Sequence, residues 1–171
     1  MAKFESAFQK TMKNEGGYQL HEVEGDRGGM TYAGIARRFH PGWSGWEMID
    51  TGQTNDPKLT LMVRRFYKVN FWQQLRADHI ESQQIAESVY DFAVNAGVRV
   101  AVTLAQLATG ATPDGIVGPK TIDILNNTDP DVFTMQYVIA KISRYAAICN
   151  QRPAQKKFLL GWINRTLKGV S

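Results

Sequence analysis

The chain has 171 residues, a length that suits one domain, or one domain with a small appended lobe. Its apolar share of 43% and charged share of 21% are ordinary for a globular protein, and no window approaches the roughly 20 apolar residues of a membrane span. The net charge of +4 comes from scattered basic residues, which disfavours nucleic-acid binding but suits an anionic polymer such as a bacterial cell wall.

Cysteine and histidine usage argues against disulfide, metal and cofactor chemistry. Cys149 is the only cysteine, and its apolar surroundings indicate a small core residue rather than a catalytic thiol. The three histidines, His21, His40 and His79, lie far apart and lack the spacing of a zinc motif. We therefore expect no metal and no cofactor, and a monomer.

The first predicted helix covers residues 3–14. Phe4, Phe8 and Met12 recur every four residues, which is the spacing of an apolar helical face. Glu15 follows Met12 by three residues and continues the same face, and the pair of glycines after it is expected to end the helix.

A carboxyl on the inward side of a helix end is desolvated, which favours its neutral form and raises its pKa. A proton-bearing carboxyl near neutral pH is what general-acid catalysis requires, so Glu15 is a candidate catalytic acid. The alternative is structural: Glu15 caps the helix end or pairs with an arginine.

A β-hairpin is predicted next, with the runs YQLHEV and MTYAGI on either side of a glycine-rich turn at residues 24–29. Asp26 lies in this polar turn and is expected to stay ionised, and the Thr31 hydroxyl is placed to help position a water. Glu22 and Glu24 lie on the same hairpin and are alternative second carboxylates, because the sequence does not show which face borders a cleft.

Helices dominate the remainder. Residues 41–46 are predicted to form a loop, Asp56 and Ser82 are predicted N-caps, and Gly97 and Gly110 are predicted helix ends. One helix is predicted after Asp56, a second after Ser82, and a third over residues 99–109. A short helix is predicted to start at Pro119, and two more are predicted at 129–149 and 154–167. With the first helix this makes about seven helices and one small hairpin, a mainly α fold with a minor β element.

Two features of these helices leave alternatives open. Asp91 and Asn95 lie four apart on an otherwise apolar helix, so they form either a structural hydrogen-bonded pair or a substrate contact. Trp72 is either a core residue or an aromatic side chain that stacks on a sugar.

Five segments, of which the first two form one N-terminal motif, resemble in order the glycoside hydrolase family 108 signature and its C-terminal region. EGGY at 15–18 is followed by GDRGGMTYAGIA at 25–36, VYDFAVNAGV at 89–98, DGIVGPKT at 114–121 and FLLGWINR at 158–165. The family contains phage-type N-acetylmuramidases, some of them labelled secretion activators, with a C-terminal region predicted to bind peptidoglycan. Arg27 and Ala33 depart from residues frequent in the family, but neither change removes an acid.

The resemblance implies a lysozyme-like α+β fold, with a catalytic lobe at 1–80 and a helical peptidoglycan-binding lobe at 81–171, packed as one compact unit. It places the catalytic glutamate at Glu15. By similarity to the Glu, acid, Thr order of phage lysozymes, Asp26 and Thr31 complete the catalytic set. Tyr18, Tyr32, Asp91 and Asn95 are then expected to line the glycan cleft.

The implied activity is hydrolysis of the β-1,4 bond between N-acetylmuramic acid and N-acetylglucosamine in peptidoglycan. The alternatives are a lytic transglycosylase, a peptidoglycan-binding module that does not cut, and a phage structural protein. The N-terminus has no apolar region typical of a secretory signal, so we expect an endolysin that stays in the cytoplasm until it is released to the periplasm.

Overall fold

The computed structural model describes residues 1–14, 16–21 and 29–169. These residues contain eight α-helices and a three-stranded antiparallel sheet, which confirms the predicted mainly α fold with a minor β element. The chain divides into two compact units: an N-terminal unit, Phe4–Asn70, and a C-terminal unit made of Met1–Lys3 and Phe71–Ser171. Within the described ranges, no helix is long and apolar enough to cross a membrane.

In the N-terminal unit, α1 spans Phe4–Asn14 and buries the predicted face. Phe4 and Phe8 stack on each other with ring centroids 5.4 Å apart. The helix end is closed by the amide of Gly17, which donates to the carbonyl of Met12 at 2.8 Å. Gly16 and Gly17 have φ angles of +82° and +80°, so the glycines end the helix as predicted, by adopting the left-handed conformation.

The sheet has the order β1–β2–β3, with β1 at Leu20–His21, β2 at Thr31–Tyr32 and β3 at Ile35–Ala36. The pairing of β1 with β2 confirms the predicted hairpin. The run MTYAGI is two strands rather than one, because Ala33 and Gly34 form a two-residue turn with φ angles of +49° and +78°. Two positive φ angles are the signature of the type I′ turn that joins tightly paired strands.

Two helices complete this unit. The helix α2, Gly45–Asp50, was not predicted, and it begins within the loop predicted at 41–46; it buries Trp46 and Ile49. The helix α3, Pro57–Tyr67, begins as predicted, with the carboxylate of Asp56 accepting from the amide of Lys58 at 2.8 Å. A short π-helical turn, Lys68–Trp72, continues from α3.

The C-terminal unit begins with a 3-10 turn, Ala77–His79, and contains the other five α-helices. They are α4 at Gln83–Ala96, α5 at Val98–Ala108, α6 at Pro119–Asn126, α7 at Pro130–Gln151 and α8 at Leu159–Lys168. As predicted, Ser82 caps α4, with its hydroxyl accepting from the amide of Ile85 at 3.3 Å. The final predicted helix is in fact a 3-10 segment, Pro153–Phe158, followed by α8.

The core of this unit is built on the long helix α7. It buries Phe133, Tyr137, Lys141, Tyr145 and Cys149, a four-residue repeat that forms one helical face. The burial of Cys149, at 4% exposed, confirms its predicted core position. Trp72 is also a core residue: it is fully buried, and its indole N–H donates to Asp78 at 2.7 Å.

Candidate active site

The predicted catalytic acid and its partner carboxylate lie outside the described residues. Glu15, Asp26 and the alternatives Glu22 and Glu24 therefore stay sequence predictions. The structure describes the residues that flank position 15: Asn14 is the last residue of α1, and Gly16 has the left-handed φ angle that closes it.

Thr31 and Tyr32 form the central strand of the sheet. Thr31 pairs with His21 on β1 and with Ala36 on β3. Successive side chains of a strand point to opposite faces, and here Tyr32 is the buried one, at 2% exposed, while Thr31 is half-buried. The Thr31 hydroxyl is therefore on the other face from Tyr32.

Tyr18 and Tyr32, both predicted glycan contacts, lie close together. Burial raises the pKa of Tyr32, and the neighbouring Tyr18 raises it further. Tyr18 is 41% exposed, whereas the hydroxyl of Tyr32 makes a long hydrogen bond of 3.5 Å to the carbonyl of Thr54. The two phenols thus differ: Tyr18 is open to a ligand, and Tyr32 packs in the protein.

An ion pair that the sequence analysis missed lies near Tyr18. Two guanidinium nitrogens of Arg64, on α3, each lie 2.8 Å from a carboxylate oxygen of Glu5, on α1. Burial raises the pKa of Tyr18, the Glu5 carboxylate raises it further, and Arg64 acts in the opposite direction. Glu5 and Arg64 are 59 residues apart in the chain, so no local pattern could have indicated the pair.

A cluster of aromatic rings supports Tyr32 from the segment predicted as a loop. Trp43 stacks on Tyr32 with ring centroids 6.4 Å apart. It also makes edge-to-face contacts with Trp46 and Phe66, at centroid distances of 5.2 Å and 6.2 Å. A Cβ at Gly45 would lie 2.4 Å from the Trp43 ring, so only glycine permits this packing. The two tryptophans three residues apart were the signal for a short helix here.

Asp91 and Asn95, the other predicted glycan contacts, belong to α4 in the C-terminal unit. The carboxylate of Asp91 lies 3.8 Å from a guanidinium nitrogen of Arg165 on α8. The amide of Asn95 donates to the backbone carbonyl of Asp91 at 2.7 Å, which is a local helix contact.

A buried lysine lies close to Asp91. Lys141 is 7% exposed, and its ammonium lies 4.3 Å from the ring centre of Tyr137 and 5.0 Å from that of Phe92. Burial lowers its pKa to about 8; Asp91 opposes this shift, and Arg165 adds to it. Sequence reasoning missed Lys141, because a single lysine in a helix normally indicates the solvent-facing side.

The first five residues of the DGIVGPKT motif, 114–118, form a loop organised by the buried Gln106 of α5, and the last three begin α6. The Gln106 amide nitrogen lies 2.8 Å from the carboxylate of Asp114, and its carbonyl accepts from the amide of Gly115 at 2.8 Å. The Ile116 amide also donates to Asp114, and these bonds lower the pKa of Asp114. The loop is thus held by its own side chains.

In the described part of the chain, no group of three or more His, Cys, Asp or Glu side chains is arranged to hold a metal.

Comparison with solved structures defines the class. The structure of SagA from Brucella abortus is similar to this chain with a TM-score of 0.73, covering 98% of this chain and 91% of that chain at 22% identity. At that identity the similarity concerns the fold, which is the lysozyme-like, mainly α class with a small sheet.

The family follows from the sequence itself. Residues 8–97, more than half of the chain, match the family described as Glycosyl hydrolase 108, so the chain belongs to glycoside hydrolase family 108. Residues 99–167 match a Predicted Peptidoglycan domain. Both matches confirm the resemblance expected from the motifs, and together they indicate a glycosidase that acts on peptidoglycan. No curated protein matches the chain.

Proposed function

We propose that this protein is an endolysin-type N-acetylmuramidase, which hydrolyses the β-1,4 bond between N-acetylmuramic acid and N-acetylglucosamine. The observation that carries the proposal is the glycine-closed end of α1 within the family match at 8–97. The EGGY motif places an acid at this helix end, where general-acid catalysis requires a positioned carboxyl.

In the proposed mechanism, Glu15 protonates the glycosidic oxygen as the bond breaks. Asp26 stays ionised and either stabilises the positive charge that develops on the sugar or activates the attacking water; Glu22 and Glu24 are the alternatives for this role. Thr31 holds the water. Its place in the central strand, half-buried and on the face opposite Tyr32, supports a role as a fixed polar group.

The glycan contacts receive different roles within this proposal. Tyr18, which is exposed, contacts the sugar, and Tyr32 supports it from the packed side. Asp91 and Asn95 are proposed to line the cleft through two groups: the side-chain carbonyl oxygen of Asn95, and the carboxylate of Asp91, which is 38% exposed beside Arg165.

The first prediction is loss of cleavage in Glu15→Gln. An amide has no proton to give, so the rate of turbidity loss of chloroform-treated Gram-negative cells should fall by about 100-fold or more. Glu47→Gln, an exposed glutamate of α2, is the matched control and should clear cells at the wild-type rate. Clearing by Glu15→Gln at the wild-type rate would show that another residue is the acid.

Mass analysis of the released fragments separates the alternatives. Reducing muramic-acid ends establish hydrolysis. Fragments with 1,6-anhydro ends identify a lytic transglycosylase, which needs a single acid–base residue because the sugar's own hydroxyl replaces water. If neither protein clears cells and both sediment with walls, the chain is a binding module, an outcome that the match at 99–167 favours as second candidate.

A further inference from the structure

The helix α8 packs on α7 through one face and presents another to solvent. The ring of Trp162 lies against that of Tyr145 of α7 with centroids 5.2 Å apart, and the hydroxyl of the buried Thr166 lies 3.4 Å from that of Tyr145. Leu160 and Leu167, by contrast, are 69% and 50% exposed. They are seven residues apart, almost two helical turns, so they lie on the same side of α8 and form an exposed apolar stripe.

The charged residues around this stripe have one sign. Residues 132–171 contain no aspartate or glutamate, although the chain as a whole has 16 acidic residues. The exposed basic residues of this segment lie in α8 and in the stretch that leads to it: Arg152, Lys156, Lys157, Arg165 and Lys168. Arg165 is engaged with Asp91 of α4 at 3.8 Å, whereas Lys156 and Lys157 are exposed side by side just before the stripe begins.

A helix with an exposed apolar stripe and a group of cations beside it is suited to the interface between a bilayer and water. The apolar side chains enter the acyl region, and the lysines keep their ammonium groups among the lipid headgroups. A soluble anionic polymer would match the cations but would leave the leucines in water. A second copy of the same face would cover the leucines but would bring like charges together. A bilayer surface that contains anionic lipids matches both features.

We propose that α8, with the 3-10 segment before it, binds the surface of a bilayer that contains anionic lipids, with Leu160 and Leu167 inserted. The helix has 10 residues, which is about 15 Å and too short to span a bilayer, so the attachment is peripheral. This inference goes beyond the proposed cleavage of peptidoglycan, because it concerns a different surface and a different partner.

The first test is flotation of the full chain with two kinds of vesicle: phosphatidylcholine alone, and phosphatidylcholine mixed with phosphatidylglycerol. The wild type should bind the mixed vesicles at least about tenfold more tightly, because only these carry negative charge. The double variant Leu160→Gln/Leu167→Gln should bind the mixed vesicles at least about tenfold more weakly, since two apolar side chains no longer enter the bilayer. Ile139→Gln, at a residue of α7 that is 58% exposed, is the matched control and should bind like the wild type.

A second pair of variants tests the cations. Lys156→Gln/Lys157→Gln should weaken binding to the mixed vesicles by about tenfold or more, because each lysine near an anionic surface adds to the attraction. Lys58→Gln/Lys120→Gln removes two exposed lysines elsewhere and changes the net charge equally, so it should weaken binding much less. Circular dichroism checks that every variant keeps its helix content.

The proposal is overturned if the wild type does not float with the mixed vesicles, or floats equally with both kinds. It is also overturned if folded Leu160→Gln/Leu167→Gln or Lys156→Gln/Lys157→Gln binds like the wild type, or no more weakly than its control. The vesicles contain no peptidoglycan, so these results do not depend on Glu15. A chain that cleaves walls without binding vesicles retains the glycosidase function, and a chain that binds vesicles without cleaving walls retains the membrane surface.

Discussion

Ala33 has a backbone conformation that alanine seldom adopts. Its φ angle is +49°, and it is 1% exposed in the turn between β2 and β3. The hydroxyl of Tyr67, from α3, donates to the Ala33 carbonyl at 2.9 Å in a buried position. This bond helps to offset the strain of the left-handed conformation, which costs about 1–2 kcal/mol for a non-glycine residue.

Tyr67→Phe should therefore lower the free energy of unfolding by about 1–2 kcal/mol, since it leaves a buried carbonyl without its donor. Urea denaturation measures this change. Tyr18→Phe, at an exposed tyrosine of the same unit, should change stability much less. Equal effects of the two substitutions would mean that the Tyr67 bond contributes nothing specific.

Lys141 gives the stability a defined pH dependence. Its pKa is about 8 in the folded protein against an ordinary 10.5, so folding disfavours the protonated form. The resulting destabilisation is absent well above the unfolded pKa, builds up as the pH falls from about 10.5 to 8, and is constant below that.

Replacement of Lys141 by methionine removes this destabilisation while keeping most of the buried volume. Lys141→Met should be more stable than the wild type by about 3 kcal/mol near pH 7, and by about half of that near pH 9.5. Denaturant unfolding at the two pH values measures the difference, with Lys156→Met as control. A variant no more stable than the wild type near pH 7 would show that the ammonium is fully compensated in the fold.

At the scale of an element, the connection between α5 and α6, residues 109–118, shows why one glycine is required and another is merely favoured. Gly115 and Gly110 have nearly equal φ angles, +74° and +70°. A Cβ at Gly115 would lie 2.8 Å from Cγ of Arg99 and 3.2 Å from its backbone carbonyl, whereas a Cβ at Gly110 would meet nothing within 4 Å.

The pair of alanine substitutions separates backbone strain from steric overlap. Gly110→Ala should lower the free energy of unfolding by about 1 kcal/mol, because of the φ angle alone. Gly115→Ala should lower it by about 2–4 kcal/mol, because the loop must also move away from α5. Thermal or urea unfolding of both variants measures the difference. Equal costs would mean that the loop adjusts freely and that the Gln106 hydrogen bonds do not hold it rigidly.

Helix starts and ends were predictable at this scale because their signals act over a few residues. Asp56 and Ser82 cap helices as expected, since each side chain reaches an amide two or three positions away. The helix α2 was missed because Trp43, Ser44 and Gly45 resemble a loop locally. Gly45 is nevertheless the first residue of α2, and a Cβ there would overlap the Trp43 ring, so the glycine that suggests a loop is required by packing.

At the scale of the whole molecule, the net charge of +4 is expected to aid attachment to an anionic wall. Exposed charges are screened by salt, so wall binding by the Glu15→Gln variant should weaken steadily as sodium chloride rises from about 50 to 500 mM. Co-sedimentation with purified walls measures this. Binding that does not change with salt would show that neutral sugar contacts carry the affinity.

The class of the molecule was also predictable at this scale. Apolar residues that recur about every four positions were enough to predict the mainly α fold. Motifs in both halves of the chain were enough to predict membership of family 108. The candidate site was predictable only in part. Tyr18 and Tyr32 do lie together, whereas the Glu5–Arg64 pair beside Tyr18 joins two helices far apart in sequence.

By itself, the sequence determined most of the helix starts and ends and the family to which the chain belongs, because these depend on local spacing and residue type. The catalytic residues that it indicates stay a prediction. Only the tertiary structure decided that Lys141 is buried against two aromatic rings and that Asp91 pairs with Arg165. The physical reason is that burial and ion pairing depend on which side chains other helices bring to a position, and no period within one helix contains that information.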